Sequence, residues 1–409
     1  MQRILLSAYA CDPSKGSEPG NGYNWAKKIA ELGFEVCCFT TINGRSSILE
    51  ASNKPKNLTF TFVEMPKWLD CLYYKSTFGM YLHYYFWQWR TYKTAKKLHK
   101  KAGFDLAHHV TWGSLQQGSF LHKLNIPFIF GPAGGGQKSP LAFKKYFEEH
   151  WAAEVKREKM SMLLQKFNPA CGPMVKKAKV VLATNYDTYV LAKKLGATRV
   201  EQVFDAALPI SFYPKRPPEV DLGKEELKLL WVGRFLPRKG ILLVLEVMAK
   251  LKPFKNITLT VVGDGEMKAS FLDTIKVLGL DENIFWKGKV PFSEVKSYYE
   301  SHDAFFFTSL RDSSPAQLVE AMAYGLPVIT LNLHGQGLMV NEKIGFRASV
   351  DNSSETIEEL SNFIEDLSKD RKRLARLSKA AYEFALAQTW ENKVKLVTGA
   401  HYPAKNEPR

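Results

Sequence analysis

The feature that most constrains this chain is an alternation that runs twice. Short apolar, β-branched runs are separated by stretches of helical periodicity. The first pass of strand-like runs is Ile4–Tyr9, Val36–Thr40, Leu58–Val63, Leu106–Val110, Pro127–Phe130 and Val180–Thr184. The second is Lys228–Val232, Ile257–Val262, Ile284–Lys287, Ala304–Thr308 and Pro327–Leu331. Between them lie helical patterns at Asn21–Leu32, Trp87–Lys101, Ile241–Leu251, Met267–Leu278 and Pro315–Ala323, and a long charged one at Ile357–Leu386. Strand–helix alternation predicts parallel sheets with helices on both faces. Two passes in 409 residues predict two doubly wound α/β domains, 1–205 and 206–384. The linker falls in Phe204–Pro218, which holds Pro209, Pro214, Pro217 and Pro218. Two such domains facing each other leave a cleft at the carboxyl ends of their strands, where ligands bind.

Charge divides the chain in the same place. Residues 1–205 carry 29 Lys and Arg against 15 Asp and Glu, while residues 206–384 carry 24 of each. A basic first half predicts an anionic partner there: a phosphate-bearing substrate or an anionic membrane surface. Nucleic acid is a further reading of the charge, but no nucleic-acid-binding motif accompanies it, so none is expected as a partner. Five cysteines without a C-x-x-C pair fit a reduced, cytoplasmic protein. No apolar run is long enough to span a bilayer, and Ile4-Leu5-Leu6 is too short for a signal peptide.

The second half carries the chemistry. The run Leu229–Val232 ends in Gly233-Arg234-Phe235-Leu236-Pro237-Arg238-Lys239-Gly240. A strand, a glycine, cations and a helix start make a grip for a pyrophosphate, with Arg234 forking onto oxygens and Lys239 acting as a point charge. A solvated basic turn is the plainer account. Val262-Gly263-Asp264-Gly265-Glu266 is a strand followed by a glycine turn, suited to a nucleotide-pocket wall. Asp264 and Glu266 look like a metal-binding D-x-D pair, but the turn explains them more simply, and no metal is expected. The third segment runs from Ser309 to Ile329. Asp312 stands in a loop of small residues, and Glu320 stands on the helix opening near Pro315. A carboxylate at Glu320 can accept both hydroxyls of a ribose. The amides of Ser313, Ser314, Ala316 and Gln317 can hold phosphate. An exposed or capping glutamate is the plainer alternative.

This last segment resembles the signature of retaining nucleotide-sugar glycosyltransferases of the GT-B fold, glycosyltransferase family 4 (glycosyl transferases group 1). Members read E-G-F-G-x-x-x-x-E-A-M-A-x-G-x-P-V-I. The chain keeps Glu320-Ala-Met-Ala-Tyr-Gly-Leu-Pro-Val-Ile, places Asp312 at the first acid, and has Ser313-Ser314-Pro315 for Gly-Phe-Gly. The resemblance implies two Rossmann-like domains facing a cleft. It also implies that Thr389-Trp390-Glu391 begins a crossover helix that returns residues 385–409 to the first domain. Arg234 and Lys239 then match the family's donor-diphosphate cations, Asp312 contacts the donor sugar, and Val290 lies where the nucleobase pairs with backbone. Gly20 and Gly22, in Gly16–Gly22, are similar to the loop that brings amides near the donor phosphate.

The implied reaction is metal-independent transfer, with retention, from a nucleotide-diphosphate sugar (UDP or GDP) to a glycan, lipid-linked or small-molecule acceptor. No other cofactor is implied. It fits bacterial polysaccharide or glycoconjugate synthesis. In the first domain, Asp105–Thr111 reads as a strand ending in paired histidines. Neighbours on a strand point to opposite faces. The family usually has His-x-His here, and its second histidine lies by the reacting sugar; His109 is the candidate, with a buried structural histidine the alternative. The glycine run holding Gly134 and Gly135, with Lys138 after it, is placed by the resemblance on the acceptor side. The aromatics from Trp68 to Trp89, followed by Arg90 and five lysines, suit either an interfacial anchor on the inner face of the cytoplasmic membrane or a core helix with a basic end. Two rivals stay open: an epimerase of the same fold, and a donor-binding module with decayed catalysis. An NAD-dependent oxidoreductase lacks its G-x-G-x-x-G after the first strand, where Cys11-Asp12-Pro13 stands.

Overall fold

The computed structural model describes residues 1–404, apart from the side chain of Phe292. The chain forms two compact units. One takes Met1–Gly136, Lys159–Asp205 and the chain from Trp390; the other takes Gln137–Glu158 and Ala206–Thr389.

The first unit is built on β1 (Arg3–Ala8), β2 (Glu35–Thr40), β3 (Leu58–Phe62), β4 (Leu106–Thr111), β5 (Phe128–Ala133), β6 (Val180–Ala183) and β7 (Val200–Gln202). Their order is β3-β2-β1-β4-β5-β6-β7, and every pairing is parallel. Every residue of β4 and of β5 is buried. Helices cover both faces of such a sheet, so its central strands have no solvated side. The order reverses between β1 and β4, which opens a crevice at their carboxyl ends.

The second unit carries β8 (Leu227–Val232), β9 (Ile257–Val262), β10 (Ile284–Gly288), β11 (Ala304–Phe306), β12 (Val328–Leu331) and β13 (Gly345–Ala348). Their order is β10-β9-β8-β11-β12-β13, again all parallel. The reversal lies between β8 and β11. Helix Ile241–Leu251 is almost wholly apolar, and Leu243, Val244, Leu245, Val247 and Met248 are all fully buried. Each such side chain contributes about 1.5–3 kcal/mol of burial.

The two doubly wound α/β sheets agree with the architecture read from the alternation. Three of the expected helices differ. The expected helix Ile357–Leu386 is two helices, Ser353–Lys369 and Arg371–Ala387. They part at Asp370, whose side chain accepts from the Arg373 amide at 2.8 Å and so caps the second. The helix expected over Trp87–Lys101 is the second part of a longer one, Thr77–Ala102, which starts where Ser76 caps the Gly79 amide at 3.0 Å. The helix expected from Asn21 starts at Ser17. Among the described residues no helix is long and apolar enough to cross a membrane.

Candidate functional site

In the second unit the candidate loops leave the carboxyl ends of β8, β9 and β11 and are bonded to one another. The turn Pro237–Gly240 after β8 is fixed to the end of β11. Thr308 Oγ1 donates to the carbonyls of Lys239 and Gly240, both at 3.1 Å, and the Leu310 amide donates to the Arg238 carbonyl at 2.7 Å. Gly240 has φ of +66°, and a Cβ there would stand 2.4 Å from the Thr308 carbonyl oxygen, so only glycine fits. The Lys239 side chain is thereby directed inward. It is buried, lies 5.0 Å over the Phe307 ring, and its Nζ pairs with Asp312 Oδ2.

Asp312 collects the charges around it. Arg238 stands 3.4 Å from its Oδ2, and Ser309 Oγ donates to that oxygen at 3.1 Å. Burial raises the Asp312 pKa, but Lys239 and Arg238 outweigh it and hold the carboxyl below its ordinary range. Burial likewise lowers the Lys239 ammonium, against the pull of Asp312. Arg234, one residue past Gly233, is exposed.

The loop after β9 is locked rather than open. Gly263 has φ of +144°, and a Cβ on it would fall 1.8 Å from the Gly233 carbonyl oxygen. Its amide donates to Gly288 at 2.8 Å. Asp264 accepts from the Gly265 amide at 2.7 Å and pairs with Lys268 at 3.5 Å. The turn thus uses this carboxylate itself. Val290 follows β10, partly buried, just beyond that strand's end.

Helix Ala316–Ala323 opens after Pro315 with no side-chain cap on its first amides. Those amides are the orphan donors of any helix start. Ser313 Oγ accepts from Gln137 Nε2 at 3.2 Å, and Ser314 Oγ accepts from the Ala206 amide at 3.4 Å. Ala316 and Gln317 begin the helix. Glu320 lies one turn on, where Tyr299 Oη donates to its Oε2 at 3.0 Å. Burial pushes the Glu320 pKa up to about 7 against that hydrogen bond.

The residues that fasten this loop carry no signal in the sequence. Arg311 binds Glu154 with both arms, Nε to Oε1 at 2.7 Å and Nη2 to Oε2 at 3.2 Å. Glu154 also accepts from Ser139 Oγ at 2.9 Å and from Arg157 at 3.0 Å. Nothing local in the sequence marks a pair 157 positions apart.

The first-unit candidates are held differently. His109 is fully buried, 2.9 Å from Ser7 Oγ and 3.1 Å from Tyr84 Oη, and its ring stacks on Phe130. Burial, with His108 beside it, lowers its pKa to about 3. His108, on the opposite side of β4, is equally buried, 2.7 Å from Tyr402 Oη. Gly20 and Gly22 lie inside helix Ser17–Glu31, not in an open loop. A Cβ at Gly20 would meet the Lys15 carbonyl oxygen at 2.3 Å, and one at Gly22 the Ala10 carbonyl oxygen at 2.1 Å. The close approach their sequence suggests is to the chain itself.

Gly134 donates to the Gly113 carbonyl at 2.8 Å, and the Gly135 carbonyl accepts from Thr188 Oγ1 at 2.8 Å, so the glycine run is pinned. Lys138 belongs to the second unit, exposed and paired with Glu158. Of the aromatic stretch, Tyr84 and Trp87 are core, while Trp68, Tyr74 and Phe78 are exposed.

Residues 214–384 match the family described as Glycosyl transferases group 1. An uncharacterised glycosyltransferase of Haemophilus influenzae is 28% identical over 188 residues, 44% of this chain and 50% of that protein. The chain spans about half or less of the length of the curated relatives it matches. Among solved structures, sucrose-phosphate synthase from Thermosynechococcus elongatus is 17% identical, with TM-score 0.65 over 98% of each chain. HepE of Anabaena, solved in complex with UDP, is 15% identical, with TM-score 0.63 over 98% of this chain and 99% of its own. At those identities the likeness concerns the fold, which is GT-B: two Rossmann-like parallel sheets of seven and six strands.

Proposed function

We propose that the chain is a nucleotide-sugar-dependent glycosyltransferase whose second unit binds the donor. The observation that carries this reading is the convergence of Lys239, the uncapped start of helix Ala316–Ala323 and Glu320 on loops that leave neighbouring strands beside the β8/β11 reversal. The match of residues 214–384 supports it. In this reading the donor diphosphate, of UDP or GDP, lies against Arg234, Lys239 and the amides of Ser313, Ser314, Ala316 and Gln317. Glu320 accepts the ribose hydroxyls, Gly263 walls the nucleoside and backbone at Val290 meets the base.

As the glycosidic bond breaks, the electron pair passes to the leaving phosphate oxygen and the sugar becomes oxocarbenium-like. Fixed cations stabilise that charge without moving. Lys239 and Arg234 do so here in place of a divalent metal, and the acceptor hydroxyl enters on the face the nucleotide leaves and gives its proton to the departing phosphate oxygen, which retains configuration. Asp312, already on Lys239, holds that ammonium in place and reaches the sugar's hydroxyls. His109 positions the end of β4 from within the core, and Gly134 and Gly135 shape the acceptor side. The acceptor is a glycan, a lipid-linked sugar or a small molecule. An anionic membrane surface meeting Trp68 and Phe78 would keep the protein on the inner face of the cytoplasmic membrane.

The test is a thermal-shift series with UDP-, GDP-, ADP- and dTDP-sugars. One nucleotide should raise the melting temperature, by an amount set by RT ln(1 + [L]/Kd), and its sugar should be released or transferred. No shift with any of them would overturn the reading. Shift without release would favour the donor-binding module, for which the Lys239–Asp312 pair is the specific support, since Asp312 already neutralises the cation. Donor conversion without an acceptor would indicate an epimerase.

Glu320 gives a second measurement. Its carboxylate accepts two hydroxyls only when ionised, and its pKa in the free protein is about 7. Ribose binding favours the charged form, so nucleotide affinity should rise as pH increases through about 7 and level off above it. In Glu320→Gln the rise should vanish, with affinity about tenfold weaker at high pH. An unchanged pH profile in that variant would remove Glu320 from the ribose.

A further inference from the structure

The first unit contains a cavity that the donor reading does not use. It encloses about 400 Å3 at the carboxyl ends of β1, β2 and β4, beside the β1/β4 reversal. That volume falls within the roughly 300–1,000 Å3 of small-molecule sites. Tyr9, Tyr73, Tyr74 and Trp112 line it, with Glu18, Asp12 and Lys15.

The aromatic wall is braced from behind. Tyr9 packs 4.7 Å from Trp112 and 5.0 Å from Trp87, and its hydroxyl lies 2.7 Å from His83 Nδ1. His83 Nε2 in turn meets Asp70 at 3.0 Å. Trp112 stacks on Tyr84 at 5.3 Å. Its own backbone is left-handed, with φ of +55°, as is that of Ser17, also at +55°. Non-glycine residues held so are strained and cluster where a site needs a fixed shape. Glu18 joins the two: its Oε1 accepts from the Trp112 amide at 2.9 Å. Among the described residues that amide is its one hydrogen-bond donor, which leaves Oε2 for a ligand.

The charges select the ligand. Asp12 is satisfied by Ser14, at 2.7 Å and 3.0 Å, and faces Lys15 at 3.6 Å. Glu18 therefore leaves the cavity with an excess carboxylate, although the unit around it is basic. A phosphate or carboxylate is repelled. A hydroxyl is bound, and flat aromatic faces suit the apolar C–H face of a pyranose ring.

We propose that this cavity binds a neutral hexopyranoside, with its ring against Tyr73, Tyr74 and Trp112 and one hydroxyl donating to Glu18 Oε2. That the sugar is the acceptor, or the acceptor's terminal residue, rests on the glycosyltransferase reading; that the cavity binds it does not. Burial raises the Glu18 pKa to about 7, helped by the charge of Asp205 and opposed by the Trp112 amide. Binding is therefore measured at about pH 8, where the carboxylate is ionised.

The experiment is calorimetric titration of the full chain with the methyl α- and β-pyranosides of glucose, galactose and mannose, with glucose 6-phosphate as the anionic contrast and UDP as a probe of the other unit. At least one neutral glycoside should bind saturably, and more tightly than glucose 6-phosphate. Glu18→Gln keeps an acceptor for the Trp112 amide and should weaken glycoside binding about tenfold. Tyr74→Ala removes an exposed ring, which the fold does not need, and should weaken it about fivefold. Both variants should bind UDP like the parent. No saturable glycoside binding, tighter binding of the phosphate, or binding unchanged in both variants would each overturn the proposal. Glycoside binding lost in the variants, with no nucleotide bound by any of them, would uphold the cavity and remove the donor reading instead.

Discussion

Lys239→Ala is expected to lower kcat/KM for the donor by about 10²–10³-fold, the usual cost of removing one fixed donor from a site where charge develops. The size of the effect follows from where the ammonium stands. It is 6% exposed and surrounded by Phe307 and the end of β11, so water screens it little. Arg234 is exposed, is screened by salt, and should cost about tenfold when replaced by alanine. The lysine's loss also leaves Asp312 with Arg238 and Ser309 alone, and its pKa should rise toward the ordinary range or above. Breaking a buried pair by removing one partner costs about 3–5 kcal/mol, more than removing both. Lys239→Ala/Asp312→Ala should therefore be more stable than Lys239→Ala and no more active. Donor turnover at the parent rate in Lys239→Ala would detach this cation from the reaction. A double variant as unstable as the single would mean that the pair does not behave as a buried one.

The sequence discloses what is local and hides what is distant. Runs such as Leu229-Leu230-Trp231-Val232 announce a buried strand because both faces of a parallel sheet are covered. The edge strands β7, Val-Glu-Gln, and β13, Gly-Phe-Arg-Ala, are short and half polar and give no such signal. The helix break at Asp370 is hidden by apolar periodicity that continues across it, although the aspartate is a capping residue. In the candidate site, Gly240, Lys239 and Gly263 are legible because a strand, a turn and a cation follow one another along the chain. His109 shows where alternation stops: it puts neighbouring histidines on opposite faces but cannot say that helices bury both. Gly20 and Gly22 show the same for close approach. The pattern marks a missing side chain, not whether a ligand or a carbonyl fills the space.

The least legible contact, Arg311 with Glu154, carries the second large effect. Glu154→Ala should destabilise the second unit by about 3–5 kcal/mol, because it leaves two guanidinium groups, Arg311 and Arg157, facing each other partly buried and unpaired. Glu154→Met/Arg311→Met should recover much of that loss, since an apolar pair of similar volume needs no desolvation. The pH dependence has a defined sign. Burial raises the Glu154 pKa, but Arg311 and Arg157 outweigh it and the net shift is downward. A carboxyl with a depressed folded pKa stabilises above its unfolded value of about 4.5, and the contribution is lost as pH falls through the folded one. The difference between parent and Glu154→Ala should thus stay constant from about pH 8 to 5 and shrink below that.

Hydrogen exchange of residues 137–158 and 309–316 is the suitable readout, because a chain of two units need not unfold in one step. Arg311 directly precedes Asp312, so loosening it should also raise the KM for donor more than it lowers kcat, whereas simple loss of folded protein would lower kcat alone. If both segments exchange as in the parent, and KM is unmoved, then the loop's position is set by Gln336 on Ser309 and by Gly335 against Ser313, not by the ion pair.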